Sequence, residues 1–272
     1  MYLLRKMVLA GLLFSAGVNM FAQESAYAYD ANGNLTKDLN KNIVDIQYNS
    51  LNLPSRIVFK NGDNISHVYS ADGSKLRTVW VADGDTLTTD YCGNVIYENG
   101  VPVRLMTDVG YIALSDTSYH YFIKDHQGNV RVVADEHGNA EEVNDYYAFG
   151  GLMSTSSRQS VQPYKYNGKE LETACGVNWY DYGARRYDPV LGRWNGVDPL
   201  CEDYYSENPY GYCGNNPVNY VDPNGLMKVL YNPDGTYKET THNNWFHNTF
   251  MGRQEYIDYG LSLIHISEPT RP

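Results

Sequence analysis

The chain has little of what marks a nucleic-acid binder, a cofactor enzyme or a helical bundle. Over its 272 residues, 21 Lys and Arg face 32 Asp and Glu, for a formal charge of −11 and a pI near 5.0. Phosphate backbones are held by clustered cations, and no basic run follows the first few residues, so nucleic acid is not an expected partner. There is no Gly-rich phosphate loop, no Gly-x-Ser-x-Gly elbow and no His-Glu-x-x-His helix. Only four Cys occur, Cys92, Cys175, Cys201 and Cys213, with neither C-x-x-C spacing nor a neighbouring His. That excludes the usual zinc sites, and no metal or cofactor is expected. Nothing beside these thiols would lower a pKa for catalysis. In an oxidising compartment they could pair, Cys201 with Cys213 being nearest in sequence, or all four could stay reduced. Long apolar runs are missing too. Met7 to Val18 falls short of the roughly 20 residues that a membrane span requires.

That short run, preceded by Arg5 and Lys6 and followed by Ala22, has the layout of an export signal. Residues 1–22 are therefore expected to form a signal helix, and the protein to be exported. The far end is also atypical. Leu261 to Arg271 reads as the translation of a sequencing-library adapter, so residues 261–272 are excluded from the reading of the fold.

What is abundant is tyrosine, 26 residues against 7 Phe, together with 24 Gly. Tyr suits a pleated, half-buried surface, with its ring packed and its hydroxyl in water. The chain also repeats itself. Tyr29-Asp30-Ala31-Asn32-Gly33-Asn34-Leu35 is a strand end, a tight turn and a strand start. Tyr69 to Leu76 repeats it, and Asp125 to Val130 and Asp135 to Asn139 are variants. Asn-Gly, Asp-Gly and Gly-Asn steps tolerate the positive φ of hairpin turns. Flanking segments such as Arg56-Ile57-Val58-Phe59 alternate as strands do. Tyr29, Tyr48, Tyr69 and Tyr91 recur about every twenty residues, the period of a one-hairpin repeat. The expected fold class is all-β, a β-hairpin sheet. The Ser-rich stretch Gly151 to Gln162 is expected to be a surface loop.

The second half carries ordered motifs. Tyr146-Tyr147-Ala148-Phe149-Gly150 is followed by Tyr164-Lys165-Tyr166-Asn167-Gly168-Lys169-Glu170-Leu171 and by Gly176 to Tyr182. Then come Arg185-Arg186-Tyr187-Asp188-Pro189, Val197-Asp198-Pro199-Leu200 and the closing Asp222-Pro223-Asn224-Gly225-Leu226. This order resembles the Rhs (rearrangement hotspot, or YD-repeat) family of bacterial proteins and its repeat-associated core domain. Two departures stand out: Ala148 replaces a Pro, and Arg186 replaces the first Tyr of the family's Arg-Tyr-Tyr-Asp-Pro.

The resemblance implies a domain plan of signal peptide 1–22, degenerate YD-repeat hairpins 23–118, Rhs core 119–226 and the start of a variable passenger 227–260. It implies a shell that encloses, presents or releases a C-terminal effector. The partners would be that passenger, and an immunity protein or cell-surface partner. It also implies one intramolecular cut between Leu226 and Met227, with Arg185, Asp198 and Asp222 as the catalytic residues. Such a protein would be at most a single-turnover aspartic protease, not an enzyme with turnover.

The chemistry fits those residue types. Hydrolysis by carboxylates needs one ionised to activate water and one protonated to polarise the carbonyl. Two close carboxylates cannot both ionise cheaply, so they share a proton. An adjacent Arg fixes their geometry. A plainer reading stays open. Asp-Pro starts type I turns, so Asp188, Asp198 and Asp222 could be turn caps, and Arg185, Arg186 and Arg193 could form surface ion pairs. The chain would then be a non-enzymatic cell-surface β-protein whose Tyr face binds glycan or protein, or an inactive remnant. His242 to His247 could begin a nuclease-like passenger, or could be a solvated loop.

Overall fold

The computed structural model describes residues 25–157, 161–203, 205–231 and 237–240. The expected signal segment, the stretch 241–260 with its two His and the adapter-like tail lie outside the described residues. The protein is all-β. Among the described residues there is no α-helix, only short 3-10 turns, and no helix is long and apolar enough to cross a membrane.

Thirteen strands form one antiparallel meander in which each strand pairs with the next in sequence. They are β1 (Tyr27–Tyr29), β2 (Leu35–Asp38), β3 (Ile43–Tyr48), β4 (Pro54–Phe59), β5 (Asn64–Tyr69) and β6 (Lys75–Ala82). There follow β7 (Asp85–Cys92), β8 (Val95–Glu98), β9 (Val101–Thr107), β10 (Gly110–Ala113), β11 (Tyr119–Lys124), β12 (Val130–Asp135) and β13 (Ala140–Val143). A second sheet contains β14 (Glu170–Glu172), β15 (Trp179–Asp181), β16 (Arg186–Asp188) and β17 (Arg193–Trp194). A third contains β18 (Tyr220–Val221), β19 (Val229–Tyr231) and β20 (Tyr237–Thr240). The large sheet runs unbroken through residues 118 and 119, and the change of sheet comes after Val143.

The repeated turns have one mechanism. Asp30 Oδ1 accepts from the backbone N–H groups of Asn32 and Asn34, and its Oδ2 accepts from the Asn34 amide. Asp125 does the same with Gln127 and Asn129, and Asp135 with His137 and Asn139. The intervening glycines have positive φ, as at Gly33, Gly128 and Gly138. Each Asp carboxylate is thus consumed by its own turn, which is why the motif repeats as a unit.

Two cores follow. On one face of the meander Leu35, Ile43, Ile46, Ile57, Phe59 and Ile65 pack against Val177 and Trp179 of the second-sheet region. Each such side chain is worth about 1.5–3 kcal/mol of transfer energy. The other core is aromatic, with Tyr166, Tyr180, Tyr182, Tyr187, Tyr212 and Trp194 all at most 2% exposed. Here the sequence expectation of wet hydroxyls fails. Tyr166, Tyr187 and Tyr180 donate to the carbonyls of Ala148, Phe149 and Gly150, and Tyr182 and Tyr212 both donate to Asn167 Oδ1. Burial of a hydroxyl is tolerated once its bond is made. The Phe-Gly element of the sequence is therefore a row of acceptors. Gly150 sits at φ +84° with no room for a Cβ, which would lie 2.5 Å from the Tyr166 ring.

Candidate active site

β16 begins next to Arg185, and the two neighbouring arginines point into different surroundings. Arg185, 5% exposed, lies over the face of Trp194, 4.3 Å from guanidinium carbon to ring centre. Its Nη2 donates to Asp198 Oδ2 at 2.7 Å and lies 3.6 Å from Asp222 Oδ2. Its Nε donates to the Gly225 carbonyl at 2.6 Å and its Nη1 to the Pro209 carbonyl at 3.2 Å. One guanidinium therefore bridges both carboxylates and the carbonyl of the peptide immediately before Leu226–Met227.

Each carboxylate has a second task. Asp198 Oδ1 accepts from the Leu200 N–H at 2.8 Å. Asp222 Oδ1 accepts from the N–H groups of Asn224, Gly225 and Leu226 at 3.2, 2.7 and 3.2 Å. The turn-cap reading and the paired-carboxylate reading thus apply to opposite oxygens of the same residues. Asp188 differs. Its Oδ1 caps Val190 and Leu191, while Oδ2 accepts from the Trp179 indole and lies 3.3 Å from Lys41. Of three Asp-Pro pairs, two converge on Arg185 and one is bound into the packing of the sheets.

Burial sets the electrostatics. It pushes the Asp222 carboxyl up to about 6, against the pull of Arg185 and of two backbone N–H groups. The Asp198 pKa is raised as well, again by burial against Arg185. One cation shared by two acids does not restore full ionisation, so the cluster favours a retained proton. A cavity of about 30 Å³, enough for one water-sized guest, is lined by Arg185, Trp194, Asp198, Cys213, Asp222 and Met227 among others. Leu226 is half-buried and Met227 buried. The peptide between them lies in the connection from β18 to β19, and Val229 pairs back onto Val221.

Sequence reasoning missed three parts of this site. Trp194 forms its apolar wall, the Pro209 carbonyl fixes the Arg185 fork, and Cys213 stands next to Asp222, its thiol pKa raised by its own burial and then by the Asp222 charge. Trp194 lies only four residues before Asp198, but nothing in the residue order tells its facing. All four Cys are unbonded thiols.

Arg186 belongs to a different cluster. It is 3% exposed, pairs with Asp181 and donates to the Tyr69 hydroxyl at 3.0 Å. Lys75 of the meander pairs with Asp181 at 2.8 Å and Glu170 at 2.7 Å, and Tyr91 donates to Glu170 at 2.6 Å. This charged seam joins the large sheet to the second sheet.

No protein-family model matches the chain. It is 29% identical over 233 residues to salivary gland surface protein 1 of Aedes aegypti, covering 76% of this chain and 7% of that protein. It is 28% identical over 208 residues to the tRNA3(Ser)-specific nuclease WapA of Bacillus spizizenii, covering 73% of this chain and 8% of that protein. With toxin subunit YenC1 of Yersinia entomophaga it shares 36% identity over 116 residues, 41% of this chain and 12% of that one. Among solved structures, the Photorhabdus luminescens Tc holotoxin pore superposes with a TM-score of 0.61 at 22% identity, over 75% of this chain and 11% of that one. The chain thus spans about a tenth of the length of these relatives. The chain is similar to Rhs-related toxin components and shares the β architecture of the solved Tc structures.

Proposed function

We propose that the protein is an exported Rhs-type core in which YD-repeat hairpins form part of a shell around a C-terminal effector. Its chemistry would be one intramolecular cut after Leu226. The observation carrying this reading is the sharing of Arg185 Nη2 by Asp198 and Asp222 at the turn that leads to Leu226. In this mechanism Asp222, with its raised pKa, keeps the proton and polarises the scissile carbonyl. Asp198, ionised beside Arg185, takes a proton from the attacking water. The pair titrates as a unit, so cleavage is fastest on the acidic side of neutrality. Pairing of β19 with β18 holds the new ends together after the cut, so the effector is retained until the strands part.

The test is expression of the whole chain with a C-terminal tag, followed by separation under denaturing conditions. A tagged fragment whose first residue is Met227, absent in Asp222→Asn and in Asp198→Asn, supports the reading. An intact wild-type chain at pH 5 to 8 removes the protease and leaves a shell without self-cleavage.

A further inference from the structure

A third buried polar cluster lies where the meander hands over to the second sheet, and neither fold nor cut uses it. Glu142 near the end of β13 and Asn144 just beyond it are 0% exposed, and Lys165, before β14, is 1% exposed. Their backbones are pinned to adjacent points on β12. Asn144 N–H donates to the Arg131 carbonyl at 2.8 Å, and Val130 N–H donates to the Lys165 carbonyl at 3.0 Å. Three donors crowd one oxygen, Glu142 Oε1: Lys165 Nζ, Asn144 Nδ2 at 2.5 Å and Gln162 Nε2 at 3.1 Å. Two other oxygens, Glu142 Oε2 and Asn144 Oδ1, are buried with no hydrogen-bond partner among the described residues.

A buried ammonium with one acceptor is poorly solvated, and burial lowers the Lys165 pKa despite its bond to Glu142. Moving one proton from Lys165 to Glu142 Oε2 would relieve both faults. The amine becomes neutral, and the new acid O–H has the bare Asn144 Oδ1 as acceptor, completing an acid–amide pair already joined through Nδ2. That state holds a neutral amine, a polarised carboxamide and a proton carrier in one water-excluded site, which is what acyl transfer to an amine needs.

We infer that Lys165 and Asn144 join through an intramolecular amide bond, with Glu142 as the proton shuttle. Lys165 Nζ attacks Asn144 Cγ while the Glu142 acid polarises Oδ1. The proton lost from Nζ passes through Glu142 to Nδ2, the Cγ–Nδ2 bond breaks, and ammonia leaves. One N–C bond forms and one breaks, with no oxidant, reductant or cofactor. The product ties the last strand of the meander to the segment entering the second sheet, so the two sheets cannot separate at that point even when the chain unfolds.

Mass spectrometry of the folded, purified full chain, denatured and digested with trypsin, decides the matter. The expected result is a branched peptide joining the segment of Asn144 to that of Lys165, lighter than the two parts together by one ammonia and uncut at Lys165. Lys165→Arg, which keeps the charge, and Asn144→Ala should each give linear peptides of full mass, and Glu142→Gln should leave most chains unlinked. Linear wild-type peptides of full mass overturn the inference. So does an ammonia loss mapped to an Asn-Gly step such as Asn61-Gly62, which would report succinimide formation.

Discussion

The protein contains two buried charge clusters built around the adjacent residues Arg185 and Arg186 at the start of β16, and they differ in how many cations each acid meets. Around Arg186, two cations, Arg186 and Lys75, face Asp181 and Glu170, and Asp181, which meets both cations, is held well below the usual carboxylate range by them against its burial. Around Arg185, one cation faces two acids, and Asp222 is pushed up to about 6. Burial is deep in both. A carboxylate with two cations is a fixed ionic strut, while a carboxylate that must share one cation becomes a proton store. The number of cations an acid meets, more than burial, decides here which acid stays ionised and which favours a retained proton.

The largest expected effect tests the self-cutting proposed for the Arg185 cluster. Asp198→Asn or Asp222→Asn should slow self-cutting about 10²–10⁴-fold, measured as the rate of appearance of the fragment starting at Met227. Next comes the strut. Lys75→Met leaves Glu170 and Asp181 buried beside one remaining cation and should cost about 3–5 kcal/mol in urea denaturation. If that variant is as stable as wild type, the seam does not act as a strut.

A smaller effect with a definite sign distinguishes the clusters by pH. The folded Asp222 pKa of about 6 exceeds its ordinary 3.8, so the folded state holds that proton more tightly. The stabilisation is complete below pH 3.8 and is lost as pH rises through about 6. Relative to wild type, Asp222→Asn should therefore gain up to about 3 kcal/mol between pH 4 and pH 8. Asp181→Asn should move the opposite way, because the depressed pKa of Asp181 adds stability above the ordinary carboxylate pKa and loses it as pH falls. The smallest effect is at the surface. Arg77→Ala breaks an ion pair with Asp90 whose Arg side chain is 51% exposed, and should leave the denaturation midpoint unchanged within error.

Much of the fold was legible in the chain. The Asp-x-x-Gly-Asn turns carry their own hydrogen bonds, and the alternating strands on either side follow from them, because both depend on residues within five positions of one another. The residues of the candidate site were also nameable, since motif order marks Arg185, Asp198 and Asp222. What was not legible is which partner each would meet. Asp188 and Asp198 have the same Asp-Pro signature, yet one meets Lys41 and Trp179 and the other meets Arg185. The excess of tyrosine suggested a wet face, whereas six tyrosines, Tyr212 among them, are buried in the cores.

By itself, then, the sequence determined the hairpins, their turns and the β class, because these rest on local φ preferences and on alternation along the chain. Only the tertiary structure decided that Arg185 and Arg186 serve different clusters, and that Lys165, Glu142 and Asn144 crowd one oxygen. A strand sends successive side chains to opposite faces, and what waits on each face arrives from segments tens of residues away.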